Sequence, residues 1–195
     1  MNNKNIERKS VILKRQNELI SSAQKGSIGA FEQLVVDLEP EMLSLAAGLA
    51  AYPDEADDIY QESVFNAYKA LPKFRSDSQF STWFYRIIVN TALDYKRKLS
   101  HQFSRRLTHE DNQVDEFEYY GNPSKDIENT QLSHSIHQAL KMLSEKERVA
   151  FVLCHQQELI IADAAQIMEC TEGSVKSYLF RARSKLRDLL QEYKR

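Results

Sequence analysis

The stretch 80-FSTWFYRIIVNTALDY-95 decides the fold of this chain. Its positions Phe80, Trp83, Phe84, Ile87, Ile88, Thr91, Ala92 and Tyr95 recur at steps of 3, 1, 3, 1, 3, 1 and 3. A period near 3.6 puts them on one face of an α-helix, and a face this aromatic is made to be buried. Upstream, Phe31, Leu34, Val35 and Leu38 share a second helical face, which Pro40 ends or kinks. Met42, Leu45 and Leu49 continue a further helix. After Pro53, Asp54 can cap a helix that runs to Leu71, where Pro72 stops it. The loop Lys73–Ser78 then leads back into the aromatic helix, and a first helical domain closes near Leu99.

Downstream, residues 100–131 lose all periodicity. The polar, acidic run HEDNQVDEFEYYGNPSKDIENT contains Gly121 and Pro123 and reads as a flexible linker. Periodicity returns at Ile136, Ala139, Leu140 and Leu143, and Ser144 with Glu147 spells a capping box. A short helix of about Ile161–Met168, a turn at Glu169–Thr171 and a long helix of about Glu172–Glu192 complete a second domain. The expected layout is all-α: a basic extension 1–15, a domain 16–99, a linker 100–131 and a domain 132–195.

Composition agrees with helices. The 195 residues include five glycines and four prolines, too few for a sheet protein with a turn every 8–12 residues. Two cysteines exclude a disulfide scaffold. The N-terminus has no apolar signal region, and no run of about 18 apolar residues occurs, so neither secretion nor membrane insertion is expected. A cytoplasmic protein is the expectation. The net charge of −2 hides a strong partition: +4 over residues 1–25, −8 over 26–71, +4 over 72–99, −4 over 100–135, −3 over 136–172 and +5 over 173–195. Basic segments on an otherwise acidic chain suit two kinds of partner, one of them a polyanion.

The second domain has the form of a helix-turn-helix. In its last helix Val175, Leu179, Ala182, Leu186, Leu189 and Leu190 form an apolar face, with Lys176, Ser177, Phe180, Arg181 and Ser184 opposite. Thr171 can cap the helix, Gly173 lets its first turn approach a phosphate, and the exposed Ser, Lys and Arg side chains suit a major groove. Phe180, on the polar side, suits a thymine methyl or a sugar. In the first domain, Ala56, Tyr60, Val64, Ala67, Tyr68 and Leu71 form the expected buried stripe. Asp57, Asp58, Gln61, Glu62 and Phe65 lie together on a neighbouring face. An acidic patch around an exposed ring suits a basic protein helix. The loop Phe74-Arg75-Ser76-Asp77-Ser78-Gln79, followed by Arg86, Asn90 and Arg97 opposite the aromatic core, can hold an unstacked base.

FRSDSQFSTWFYRIIVNTALDYKRK, and after the linker ECTEGSVKSYLFRARSKLRDLL, resemble the bacterial RNA polymerase sigma factors of the extracytoplasmic-function (ECF) group. The resemblance covers about residues 16–99 and 132–192. It implies a sigma-two-like domain and a helix-turn-helix sigma-four-like domain that bind polymerase core and two promoter elements. Asp57, Asp58, Gln61 and Glu62 match the part that docks on the clamp helices of the largest core subunit. Phe74–Gln79 and Asn90 match the part that captures a flipped base of the minus-ten element. Gly173, Ser174, Lys176, Ser177, Phe180 and Arg181 match the recognition helix for the minus-thirty-five element. An anti-sigma factor joins polymerase core and promoter DNA among the implied partners. The sequence departs from the family at Glu158-Leu159-Ile160-Ile161, where Gly-Leu-Ser and an aromatic are usual, and at Ala164, usually a bulkier aliphatic.

Other chemistry finds little support. Cys154, His155 and Cys170 lack the paired spacing of a zinc site. His101, His109, His134 and His137 read as solvated. No phosphate loop, nucleophile elbow or carboxylate pair suggests an enzyme, a cofactor or a small-molecule substrate. The rival reading is a conventional helix-turn-helix regulator with a helical sensor domain, binding palindromic DNA as a dimer.

Overall fold

The computed structural model describes residues 3–52, 54–106 and 135–191, with side chains for 13–52, 54–98 and 135–191. Among these residues every regular element is helical. Helix α1 spans Asn3–Gln24, α2 Ile28–Val36, α3 Glu39–Leu49, α4 Glu55–Ala70 and α5 Phe80–Arg106. Residues 135–141 form α6, Glu145–Phe151 α7, Ile161–Ile167 α8 and Glu172–Leu189 α9. None of these helices is long and apolar enough to cross a membrane.

Local chemistry explains most boundaries. Ser27 caps α2 by accepting from the Ala30 amide at 3.3 Å. Pro40 lies in the first turn of α3, where its missing N–H costs nothing, so it starts that helix as well as ending the last. Asp54 occupies the N-cap position of α4 but makes no capping bond. The carboxylate of Glu55 instead accepts from the Ala51 and Tyr52 amides at 2.8 and 2.9 Å, although burial pushes its pKa up. Pro72 falls in a 3₁₀ turn, Leu71–Lys73.

Two helices overrun the boundaries expected from the sequence. Helix α1 crosses the border between the extension 1–15 and the first domain. Helix α5 continues through residues 100–106, the start of the expected linker, because no proline or glycine interrupts it there. The rest of that linker, with His109, lies outside the described residues, as do His134 and the side chain of His101.

In α5, Phe80, Phe84 and Ile88 are almost wholly buried, as the period demands. On α4 the buried stripe is Ala56, Ile59, Tyr60, Ser63 and Ala67. Ala56, Tyr60, Ala67 and Leu71 are buried as the pattern suggests, but Ile59 and Ser63 join them while Val64 is only half-buried. Tyr68 is exposed and meets Phe31 edge-on, ring centroids 5.2 Å apart. Ser63, wholly buried, satisfies its hydroxyl by donating to the Ile59 carbonyl one turn back at 2.6 Å.

Helix α7 runs into a π-helical turn, Val152–Gln156, where the Gln157 amide donates to the Val152 carbonyl at 3.0 Å. This turn packs on α3 and joins the two halves of the chain into one apolar cluster reaching from Ile20 to Leu179. Gly48 makes the approach possible: a Cβ there would lie 2.8 Å from Val152 Cγ1 and collide with the side-chain oxygen of Gln156. Gln156 donates to the Ser44 carbonyl at 2.8 Å and to its hydroxyl at 3.0 Å, and Gln157 bonds the same hydroxyl at 3.1 Å. His137, expected to be solvated, is half-buried in this seam with its Nε2 3.3 Å from the Ala51 carbonyl oxygen.

The departure at Glu158–Ile161 has a clear structural outcome. Glu158 takes a left-handed backbone (φ 53°) at the position where glycine is usual. Ile160 stands at the N-cap of α8 without a side-chain bond to offer, and Ala164 is fully buried. A second left-handed residue, Glu169 (φ 50°), turns the chain from α8 toward α9.

Candidate docking face and nucleic-acid interface

Helix α4 buries Ala56, Ile59, Tyr60, Ser63 and Ala67 and, Glu55 apart, turns its carboxylates outward. Asp57, Asp58 and Gln61 are exposed, Glu62 is half-exposed, and Phe65 stands 57 % exposed beside them. Lys69 lies over the Phe65 ring, 3.9 Å from its centroid. Asp58 accepts from the Tyr95 hydroxyl at 3.2 Å and Glu62 from Lys98 at 2.8 Å. Such exposed pairs hold the side chains loosely and cost little to exchange for a partner's cations.

The loop after α4 is held from behind. Gln24, near the end of α1, donates to the Leu71 carbonyl at 3.1 Å and to the Phe74 carbonyl at 2.8 Å. Sequence reading missed this residue, since nothing local marks a glutamine whose acceptors lie 47 and 50 positions away. Phe74 itself is buried against Trp83 (4.9 Å) and Phe80 (6.1 Å). It anchors the loop and offers no free ring to a base, which corrects its expected place among the DNA contacts. Arg75, Ser76, Asp77 and Gln79 are exposed, Ser78 is half-exposed, and Ser76 adopts φ 58°. Asn90 is exposed one turn beyond Arg86 on α5. Arg86 is occupied across the seam: it donates to the Gln166 carbonyl at 2.9 Å and pairs with Glu169 at 3.3 Å, while its Nε has no partner among the described residues. It is therefore not free for DNA in this arrangement.

Helix α9 begins as the sequence anticipates. Thr171 accepts from the Ser174 amide at 3.2 Å, and Val175, Leu179, Ala182 and Leu186 are buried, whereas Leu189 is exposed near the end. Gly173, Lys176, Ser177 and Arg181 are exposed, Ser174 is half-exposed, and Phe180 is 73 % exposed. Ser177 returns its hydroxyl to the Gly173 carbonyl at 2.9 Å. Lys176 is 3.9 Å from Glu172, a weak exposed pair.

Beneath this surface lies Glu147, whose side chain is only 5 % exposed. Its carboxylate takes Arg181 Nε at 3.2 Å, Lys185 Nζ at 2.7 Å and the Ser144 amide at 3.1 Å. The sequence announced half of this: the capping box is present, but the two cations 34 and 38 residues away are not visible locally. The Lys185 ammonium and the Ser144 groups outweigh burial and hold the carboxyl at a pKa of about 2. Because the folded value lies below the ordinary 4.5, the stabilisation is complete above about pH 4.5 and is lost as pH falls toward 2. The difference in unfolding free energy between the native chain and Glu147→Gln should shrink across that window. A difference independent of pH would mean that the charge contributes nothing.

Cys154 and Cys170 are half-buried free thiols, and burial raises the Cys154 pKa. His155 accepts from Arg183 at 3.1 Å, and burial, aided by that charge, lowers its pKa. Among the described residues no three potential metal ligands come together.

The family models for Sigma-70 region 2 and Sigma-70 region 4 match residues 34–102 and 133–186. The RNA polymerase sigma-H factor of Pseudomonas aeruginosa is 33 % identical over 186 residues, covering 91 % of this chain and 94 % of that protein. The ECF RNA polymerase sigma-E factor of Escherichia coli is 37 % identical over 182 residues, covering 89 % and 93 %. In fold, the chain is similar to the Bartonella quintana sigma factor RpoE solved with the anti-sigma factor NepR, with TM-score 0.68 and 24 % identity over 84 % of this chain and 98 % of that one. It is also similar to CnrH solved with the cytosolic domain of CnrY, with TM-score 0.66 and 22 % identity over 91 % and 98 %.

Proposed function

We propose, from the premise that this chain belongs to the sigma-70 family as an RNA polymerase sigma factor of the ECF group, a division of labour among three surfaces. The exposed face of α4, with Asp57, Asp58, Gln61, Glu62 and Phe65, docks on basic helices of the polymerase core. The loop Arg75–Gln79 with Asn90 captures a base of the minus-ten element. The outer face of α9, with Gly173, Ser174, Lys176, Ser177, Phe180 and Arg181, reads the minus-thirty-five element. The working units are 16–99 and 132–195, with 100–131 between them. Strand separation is driven by binding energy, since a captured base stabilises the open strand, and the chain catalyses no reaction of its own. Two of the solved neighbours are complexes, one with the anti-sigma factor NepR and one with the cytosolic domain of CnrY, which supports an anti-sigma partner here and a cytoplasmic setting.

The observation that carries this reading is the α4 face. A conventional regulator has no need of exposed carboxylates around an exposed phenylalanine on a helix whose other side is fully packed. Asp58→Ala with Gln61→Ala should weaken binding to polymerase core about tenfold or more, as expected for central interface residues. Both lie off the buried stripe, so the helical signal and melting temperature should hardly change. Titration of the labelled chain with core enzyme decides it. Unchanged core affinity in the double variant would remove the docking assignment.

A further inference from the structure

Arginine reads guanine with the two terminal nitrogens of its fork, which pair with O6 and N7. A free arginine must give up several rotatable bonds to do so, and that ordering weakens the contact. Here much of the ordering is already in place. Arg181 is gripped at Nε by Glu147 (3.2 Å), and its guanidinium carbon lies 5.2 Å from the centroid of the Tyr178 ring. The terminal nitrogens make no hydrogen bond to any described residue, and the side chain remains about half exposed. Glu147 is fixed in turn: it belongs to a capping box, is nearly buried and also holds Lys185. Lys176 has no comparable support, being tied only to a carboxylate one turn away on its own exposed helix.

We infer that Glu147 is a positioning residue for promoter recognition, holding Arg181 by Nε against Tyr178 so that its terminal nitrogens are presented to a base in the major groove. The inference rests on the assignment of α9 to the upstream element and adds to it a residue that touches no DNA. The same carboxylate has an opposite electrostatic effect. It offsets the charge of Arg181 and Lys185, and so weakens the attraction of α9 to DNA of any sequence.

The test uses holoenzyme assembled from polymerase core and the full chain, and a duplex pool randomised over the upstream element. Dissociation constants are measured for an enriched duplex and for a scrambled one. Glu147→Gln should lower the ratio between them roughly three- to tenfold, the range set by ordering one long side chain. Binding to the scrambled duplex should hold or tighten, with a steeper salt dependence. In an Arg181→Ala background the same substitution should change the ratio no further, a non-additivity that a general structural defect would not produce. A wild-type ratio in Glu147→Gln, or an equal loss in both backgrounds, overturns the inference. Failure of the native holoenzyme to enrich any sequence overturns the assignment of α9 first, and the inference with it. An independent measurement needs no variant: the Arg181 Nε proton of the native chain should exchange with solvent more slowly than those of Arg75 and Arg187. Equal exchange rates would also overturn the inference.

Discussion

Asn90→Ala is expected to reduce promoter opening on linear duplex by on the order of ten- to hundredfold, while polymerase binding and upstream recognition stay intact. A paired base leaves its stack only at a cost of a few kcal/mol, which specific contacts to the extruded base must offset. An amide is suited to this because it donates and accepts at once, and losing such a pair of contacts costs about 1–3 kcal/mol. Asn90 is exposed on α5, while the face beneath it is locked into the core by Phe84 and Ile88. Removing its side chain therefore leaves no hole, and alanine is the better helix former. A template already mismatched over the melted region should restore most of the activity, because the unpairing cost is gone. Permanganate reactivity of thymines on both templates reports the result. Normal opening of the linear duplex would exclude Asn90 from base capture.

The second large effect concerns the seam. Gly48→Leu should separate the two halves of the molecule while leaving each folded. Gly48 lies in the last turn of α3, and glycine within a helix costs up to about 1 kcal/mol relative to alanine, so the substitution does not disfavour the helix itself. Across the seam the added side chain meets Val152 Cγ1 and Gln156, where a Cβ alone is already too close. Val152 is β-branched and buried and cannot swing aside. The bonds from Gln156 and Gln157 to Ser44 should then break, releasing Arg86 from Gln166 and Glu169. Small-angle scattering should show a larger radius with unchanged helical signal. An unchanged radius would mean that the seam tolerates a side chain at this position.

What could be read from the sequence was local. The 3.6 period marks faces, and so Phe84, Ile88, Val175 and Leu179 are buried as expected and Phe180 is not. The same reading went astray on α4, where Tyr68 fits the period but is exposed, and the small, polar Ser63 is buried. A hydroxyl that bonds its own helix can be buried, and a pattern of apolar letters does not register it. Phe74 misled for a similar reason: it sits in a polar loop, but its ring folds back on Trp83. Apart from the capping box that marks Glu147, the supports of the site were illegible. Gln24, Gly48 and Glu147 act on partners far along the chain, and a helical period says which way a residue faces without saying what it will meet. At Gly48 the sequence carries no mark of the π-helical turn that packs against it.

Glu169 carries a consequence for how such a chain can change over generations. Its backbone at the turn into α9 is one that glycine or asparagine adopts with about 1 kcal/mol less strain, and its carboxylate reaches over to Arg86. A mutation to glycine relaxes the turn and gives up that reach. Selection for a sturdier helix-turn-helix and selection for keeping the two halves in touch therefore act on the same codon in opposite directions.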